Sequence, residues 1–460
     1  MFLNPDHFER PAVFDSKTRR WWTYAELAGE VRRIAAYLSG PRRLAFCFCR
    51  NDAATIANYV ACLECGHPVA LLDSVAAPEA KQELFALYEP ELILASDDLC
   101  VPISAPVSIS GMSRIWCVRE SPGAPLHSDL AALLSTSGTT GSPRFVRLSA
   151  QNLQANAESI VSALGIAVED RAIASLPFHY SYGLSVLNTH LLAGASLVTT
   201  ADGIISQAFW TDVREQKCTS FAGVPYSYQV VDRLRLDTLN VPELKTLTQA
   251  GGKLDVKLIS RFHELMQSRG GRFFVMYGQT EATARIALLP SSELPRKLGS
   301  AGLPIAGGRL EIKGDGGSGE LVYHGPNVMM GYATHRSDLA QGDHLHGTLE
   351  TGDLCTIDDE GFLFVVGRFK RDAKVFGLRV NLDEVEAMLK THGPTAVISA
   401  TDKLLVFCEY GDAGFLHSLQ QQLAARLNIN YRAIEFRRLE ALPVHPNGKI
   451  DYATLQRIPT

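Results

Sequence analysis

The sequence lacks a dominant sign of charge: 44 Lys and Arg face 49 Asp and Glu, a formal net charge of −5. Without a basic field, nothing holds nucleic acid or an anionic membrane surface, so neither is expected as a partner. An uninterrupted run of 18 apolar residues is also missing. The most apolar window, residues 55–72, is broken by Asn58, Glu64 and His67, so no membrane span is expected. The nine cysteines are odd in number, which argues against a disulfide framework and for a reduced, cytoplasmic setting. Cys47/Cys49 and Cys62/Cys65 have no second pair at zinc-finger spacing, so they read as core thiols in a strand and a packed helix. The opening MFLNPDHFER carries charges and no apolar segment, so no secretory signal is expected there. There is no internal repeat and no low-complexity tract.

What is present is a chain of 460 residues, 46% hydrophobic, long enough for more than one domain. From about residue 20 to 300, β-rich runs (RLAFCFC, ELILAS, AALLST, RAIASLPF, ASLVTT, TSFAGVP, LKTLTQA, RFFVMY) alternate with amphipathic stretches such as QNLQANAESIVSALG and VKLISRFHELMQS. That alternation predicts parallel sheets covered by helices. From about 308 the pattern changes to hairpins, with turns at the glycine-rich GDGGSG and at Asp358–Gly361. GRFKRDAK, which follows, has no apolar period and suits an exposed connection between domains. Beyond it a unit of about 90 residues is predicted: a helix opened by Asn381 and Glu384, a hairpin, and a helix with Leu416, Leu419, Leu423 and Leu427 on one face. A final strand, AIEFRRL, completes it.

The segment richest in chemistry is Ser135, Thr136, Ser137, Gly138, Thr139, Thr140, Gly141, Ser142, Pro143, Arg144. It is expected to join an apolar strand to a helix. Its glycines permit a tight turn of converging N–H groups, and its hydroxyls with the Arg144 guanidinium can cradle phosphate oxygens. Composition alone equally allows a flexible surface loop. The GxxxxGK[ST] spacing of a Walker loop is missing.

This loop resembles the phosphate-binding signature of the adenylate-forming superfamily: acyl- and aryl-CoA synthetases, luciferase-like enzymes and peptide-synthetase adenylation domains. Further segments follow in that superfamily's order: Leu176–Gly183, Gln249–Gly252, Tyr277–Glu281, Thr351–Asp353, Gly367-Arg368, Lys374–Gly377 and Asn447–Lys449. The resemblance implies an α/β fold with a large N-terminal domain, about 1–369, of helix-covered sheets plus a distorted β-rich subdomain. A small mobile α+β C-terminal domain, about 370–460, would hinge near Lys370.

It also implies roles. ATP would lie against Ser135–Gly141 and Arg144, with Gly251 and Gly252 flat on adenine, Tyr277 stacked beside it, and Gly278 and Gln279 nearby. Thr280 would donate to the α-phosphate and Glu281 would bind Mg²⁺, a hard cation suited to one carboxylate plus phosphate oxygens. Asp353 would accept both ribose hydroxyls, with Arg368 beside the ribose. Lys449 would bridge the substrate carboxylate and the transferring phosphate, stabilising the charge that develops there. His179 would gate an acid pocket of Tyr180, Tyr182, Val224, Ala250, Gly278 and Ala284. Lys374 and Gly377 would line the tunnel for a phosphopantetheine arm. Taken singly, each has a plainer reading: Glu281 as a first-turn acid, Asp353 as a turn residue, Lys449 as an exposed turn lysine and His179 as a structural histidine.

The implied reaction joins a small-molecule carboxylic acid to ATP, giving acyl-adenylate and pyrophosphate, then passes the acyl group to the thiol of CoA or of an acyl or aryl carrier protein. Transfer to a non-thiol nucleophile (amine, nitrite) and a catalytically silent ATP-binding homologue are the alternatives. Peptide-synthetase domains place an Asp where His179 stands, so an acid without an α-amine is favoured. Three departures stand out: Arg144-Phe145 replaces Lys-Gly, Ala150 replaces His, and Lys370-Arg371 replaces a double acid.

Overall fold

The computed structural model describes residues 2–96, 107–108, 112–119, 123–135, 144–314, 318–368, 372–375, 378–400, 403–427, 429–444 and 450–458. It is a mixed α/β fold that divides into two compact units. The first takes in the described residues up to Arg309 together with Tyr323–Leu349; the second takes in Leu310–Val322 and Glu350–Thr460.

The first unit is built on two large sheets. In the eight-stranded sheet, Leu130–Ser135, Val69–Asp73, Ala45–Cys49 and Leu92–Ser96 run parallel as neighbours. Their sequences read as near-continuous apolar runs because parallel strands are covered on both faces, and all five residues of Ala45–Cys49 are buried. Cys47 and Cys49 are core thiols in that strand, and Cys62 is buried on helix Ala53–Glu64. Glu91 and Arg336 form a buried two-pronged ion pair, Nη2–Oε1 2.6 Å and Nη1–Oε2 3.0 Å. The same carboxylate accepts the Leu44 and Gly123 N–H groups, both at 2.7 Å.

The nine-stranded sheet has a parallel interior in the order Arg272–Tyr277, Thr246–Gln249, Ser220–Gly223, Arg171–Ile173, Ser196–Val198 and Pro11–Asp15. Gly223, Gln249 and Val275 lie in register, so the segments that follow these strands emerge on one edge. The helices predicted from periodicity form at Ala150–Leu164 and Val256–Ser268.

The hydroxyl-rich loop does not lead into a helix, as the sequence suggested. Ser135 pairs with Phe145 across antiparallel strands Leu130–Ser135 and Phe145–Ser149, so the loop joins two strands. The helix starts later because Ser149 caps it: its Oγ accepts the Asn152 N–H at 3.0 Å, and Asn152 Oδ1 accepts the Ser149 N–H at 2.9 Å.

Strands Arg309–Lys313, Ser318–His324, Thr348–Ile357 and Leu363–Arg368, most of whose residues fall in the second unit, make a four-stranded sheet. The end of GRFKRDAK is not a bare connection. Asp372–Val375 pairs antiparallel with Leu378–Asn381, and Ala373 and Val375 are buried; a two-residue alternation gives them one apolar face. A three-stranded sheet of Thr395–Ala400, Lys403–Cys408 and Ile434–Arg438 follows. Leu404 and Val406 pack with helices Leu382–Leu389 and Ala413–Leu427, while Leu405 and Phe407 pack with Leu442 and Leu455.

Candidate active site

Residues singled out in the sequence, Leu176–Gly183, Val224, Ala250–Gly252, Gly278–Glu281 and Ala284, follow the C-terminal ends of strands Arg171–Ile173, Ser220–Gly223, Thr246–Gln249 and Arg272–Tyr277. These strands are parallel neighbours, and the carboxyl edge of an open parallel sheet is where such folds place ligands. Gly251 has φ +84°, and a Cβ there would meet the Tyr180 hydroxyl at 2.6 Å, so only glycine lets this loop pass. Gln249 donates to the Gly252 carbonyl at 2.7 Å and holds the loop shut. At Gly278 a Cβ would lie 2.0 Å from the Ala284 carbonyl, because the chain doubles back on itself there.

That doubling back is a strained turn. Thr280–Ala282 form one 3-10 turn, then Thr283 (φ +55°) and Ala284 (φ +111°) adopt backbone angles that side chains rarely take. Asn327, 1% exposed, clamps it. Its Nδ2 donates to the Ala282 and Arg285 carbonyls, both at 2.7 Å, and its Oδ1 accepts from the Tyr323 hydroxyl at 2.7 Å. Thr283 Oγ1 donates to the Asn327 carbonyl at 2.6 Å. The turn holds Thr280 Oγ1 3.1 Å from Ser181 Oγ at the start of helix Ser181–Leu192.

Glu281 Oε1 accepts a 2.7 Å hydrogen bond from the Tyr332 hydroxyl. Burial, then the neighbouring carboxylate, push the Tyr332 phenol up, so it stays protonated as the donor. The Arg144 guanidinium lies 4.1 Å from the centre of the Tyr332 ring, a cation–π contact. Arg144, Tyr332 and Glu281 thus form one connected cluster. The bulk of Phe145 does not intrude on it. That side chain is fully buried, its ring 4.6 Å from Tyr88 and 6.3 Å from Phe46.

The acid-pocket candidates share one apolar cluster: Tyr180, Tyr182, Val224 and Ala250 pack with Phe274, Met276 and Leu288. Tyr182 OH contacts the Thr248 carbonyl and hydroxyl at 2.9 and 2.8 Å. Burial keeps the partly buried His179 imidazole below its ordinary pKa against the opposing pull of Asp73, so it is neutral near pH 7. Its Nδ1 is buried without a hydrogen-bond partner among the described residues.

In the second unit, Asp353 is buried, and its Cα pairs in register with that of Arg368 across adjacent strands. The Asp353 N–H donates to Thr351 Oγ1 at 3.2 Å, which donates in turn to the Leu321 carbonyl at 2.8 Å. Thr136–Gly141, Lys370, Gly377 and Lys449 lie outside the described residues. Ser135 is the exposed end of its strand, and Lys374 is placed by its backbone in strand Asp372–Val375. Val444 and Ile450, on either side of residues 445–449, pair antiparallel. Sequence reasoning missed Asn327, Tyr332 and Arg285, and gave Ser181 no role within Leu176–Gly183. Asn327, Tyr332 and Ser181 meet residues distant in the chain, and no local spacing marks Arg285.

Comparison with known proteins agrees with this architecture. The profile of the AMP-binding enzyme family matches residues 4–333. A 2-succinylbenzoate–CoA ligase of Bacillus velezensis is 29% identical over 407 residues, 84% of this chain and 80% of the relative. A feruloyl-CoA synthase of an Amycolatopsis species is 28% identical, over 76% of this chain and 74% of its own. Among solved structures, o-succinylbenzoate CoA synthetase from Bacillus subtilis with its acyl-adenylate intermediate superposes with a TM-score of 0.78 at 23% identity, over 98% of this chain and 96% of that one. The same synthetase with ATP and magnesium ion gives 0.74 at 24% identity, over 97% and 96%. With the ordered motifs, the strained turn at a parallel sheet's carboxyl edge and a profile match over residues 4–333 in accord, the chain belongs to the AMP-binding enzyme family, within the adenylate-forming superfamily.

Proposed function

We propose that the protein is an AMP-forming acid–thiol ligase that activates a small carboxylic acid with ATP and transfers the acyl group to coenzyme A. In the first step the acid's carboxylate attacks the α-phosphorus and pyrophosphate leaves. In the second a thiol displaces AMP from the acyl-adenylate. The observation that carries this reading is the strained turn, which fixes the Thr280 hydroxyl and the Glu281 carboxylate together. Curated relatives named as CoA ligases support the thiol acceptor.

Two anions must meet in the first step, so the residues present have to offset repulsion. Thr280 and Ser181 supply hydroxyl donors, and Arg144, oriented by Tyr332, supplies positive charge to the phosphates. Glu281 is a hard oxygen donor that fits Mg²⁺ together with phosphate oxygens, and the ion would neutralise charge on the leaving pyrophosphate. Asp353, beside Arg368, accepts the ribose hydroxyls. Lys449 bridges carboxylate and phosphate. His179, neutral with an open nitrogen, orients the acid over the Tyr180 and Tyr182 rings. The second step needs a C-terminal domain, from about residue 370, to swing about Lys370 so that Lys374 and Gly377 face the thiol. The reaction belongs to the cytoplasm, and a carrier-protein phosphopantetheine is the alternative thiol.

Lys449→Ala tests the reading. It should abolish acid-dependent pyrophosphate release while ATP binding stays within a few-fold; an unchanged rate refutes the assigned role. Running the same acid with and without CoA, and reading AMP release, separates a thiol acceptor from an amine.

A further inference from the structure

The segment that carries Thr280 and Glu281 ends in Arg285, which is 1% exposed. Among the described residues no hydrogen bond or ion pair reaches its guanidinium, and Nε is buried without a partner. The guanidinium lies 4.9 Å from the centre of the Tyr182 ring. Arginine stays charged in proteins, and a buried cation without a counter-charge is strongly disfavoured. None of the described residues around it supplies that counter-charge. Burial holds Tyr182 and Tyr180 protonated, and Tyr182 is tied to Thr248.

Arg285 and Tyr182 both line a narrow cavity of about 30 Å³ with Met276, Asp170, His190 and Arg272. That volume holds about two water molecules, or one group of similar size. Asp170 is already engaged by Thr219 Oγ1 and the Ala167 N–H, both at 2.9 Å. Burial keeps His190 neutral, with its Nδ1 2.9 Å from the Val186 carbonyl oxygen. Arg272 adds a second positive charge from an exposed position, its Nη2 3.5 Å from Thr246 Oγ1. The wall is otherwise largely apolar, with Ile160, Leu164, Val186 and Phe221, so Arg285 is its one buried cation and Asp170 its one carboxylate, already committed.

We propose that Arg285 is a specificity-determining residue whose guanidinium binds a second carboxylate, at the end of the acid away from the reacting group, so that the protein selects dicarboxylic acids. This inference rests on the acid-activating reading above. A two-pronged guanidinium–carboxylate contact fits the planar geometry of both groups. A buried charge kept unpaired until substrate arrives also explains why the sequence tolerates its cost in stability: sites selected for function are often less stable than they could be.

The experiment measures kcat/KM for pyrophosphate release with ATP, Mg²⁺ and CoA on matched pairs: hexanoate and adipate, benzoate and phthalate, 3-phenylpropanoate and its 4-carboxy derivative. Binding of each acid without nucleotide is measured by calorimetry. The wild type should favour the dicarboxylate of at least one pair by about 100-fold or more, as expected for a site built around a polar contact. Arg285→Met should lose that preference, Arg285→Lys should keep part of it, and the Met variant should melt no lower than wild type. A wild-type preference for the monocarboxylate in every pair overturns the proposal. So does an Arg285→Met variant that slows both members of a pair equally, or one that melts lower, since either marks a structural arginine. If no acid releases pyrophosphate yet a dicarboxylate binds wild type and not Arg285→Met, acid activation fails and the anion site stands. If no dicarboxylate binds or reacts, the anion site is overturned.

Discussion

Asn327→Leu is the sharpest test of how the site is held together. The side chain is close to isosteric, so the change removes hydrogen bonds more than volume. Three buried groups lose their partner: the Ala282 and Arg285 carbonyls and the Tyr323 hydroxyl. Each carbonyl keeps a longer contact, Arg285 N–H at 3.3 Å and Asn156 Nδ2 at 3.5 Å respectively. The loss per group therefore sits at the low end of the usual range, about 1 kcal/mol each and about 3 kcal/mol in all. The clamp also opposes strain at Thr283 and Ala284, which costs on the order of 1–3 kcal/mol at each residue. Once released, the turn should relax and carry Thr280 and Glu281 with it, and a displacement near 1 Å lowers kcat/KM about 100-fold. Urea unfolding gives the first quantity and acid-dependent pyrophosphate release the second. Asn327→Asp keeps the acceptor for Tyr323 but loses both donors, so it should do no better than Leu. A stability change below about 0.5 kcal/mol, the range of ordinary surface substitutions, together with unaltered turnover, refutes the clamp.

Tyr332→Phe should raise KM for ATP modestly, since Arg144 keeps its aromatic face while Glu281 loses its donor; Tyr332→Ala, which removes both, should raise it further in the same steady-state assay. Phe145→Gly restores the superfamily's residue but empties a packed site, and should destabilise by about 3–5 kcal/mol in urea while KM for ATP changes little. Glu91→Ala leaves Arg336 buried and unpaired, a loss of about 3–5 kcal/mol by the same measurement. His67 should make stability depend on pH. Burial lowers its pKa, and it accepts the Arg43 N–H at Nδ1 (3.0 Å) while Nε2 lies 2.6 Å from the Leu38 carbonyl oxygen. The neutral ring fits this pattern, so below about pH 6.5 the unfolded chain takes up a proton that the fold refuses. Stability therefore falls as pH drops from there toward the folded pKa. His67→Gln should flatten the urea-midpoint profile by up to about 1.4 kcal/mol per pH unit; an unchanged slope refutes the assignment.

Local information made much of the fold legible. The run RFFVMY became strand Arg272–Tyr277 and VKLISRFHELMQS became helix Val256–Ser268 at their expected bounds, because apolar spacing reports which faces are covered. It failed at FVRLS, where a five-residue strand intervenes between the hydroxyl-rich loop and its helix. Phe145 and Val146 gave no sign by spacing of whether they face a core or a phosphate, and pairing with Leu130–Ser135 decided it. It failed again at Asp372–Val375, where charged neighbours masked two inward residues.

The sequence by itself determined the family, the order of the motifs and the chemical type of each side chain, since residue identity and spacing along one strand or helix are local properties. Tertiary structure alone decided which of those side chains meet. Asn327 reaches Ala282 across 45 positions and Tyr332 reaches Glu281 across 51, and the absence of a partner for Arg285 among the described residues becomes visible only once its neighbours are in place. Such contacts depend on how two sheets and a distant segment pack, and no local periodicity encodes that packing.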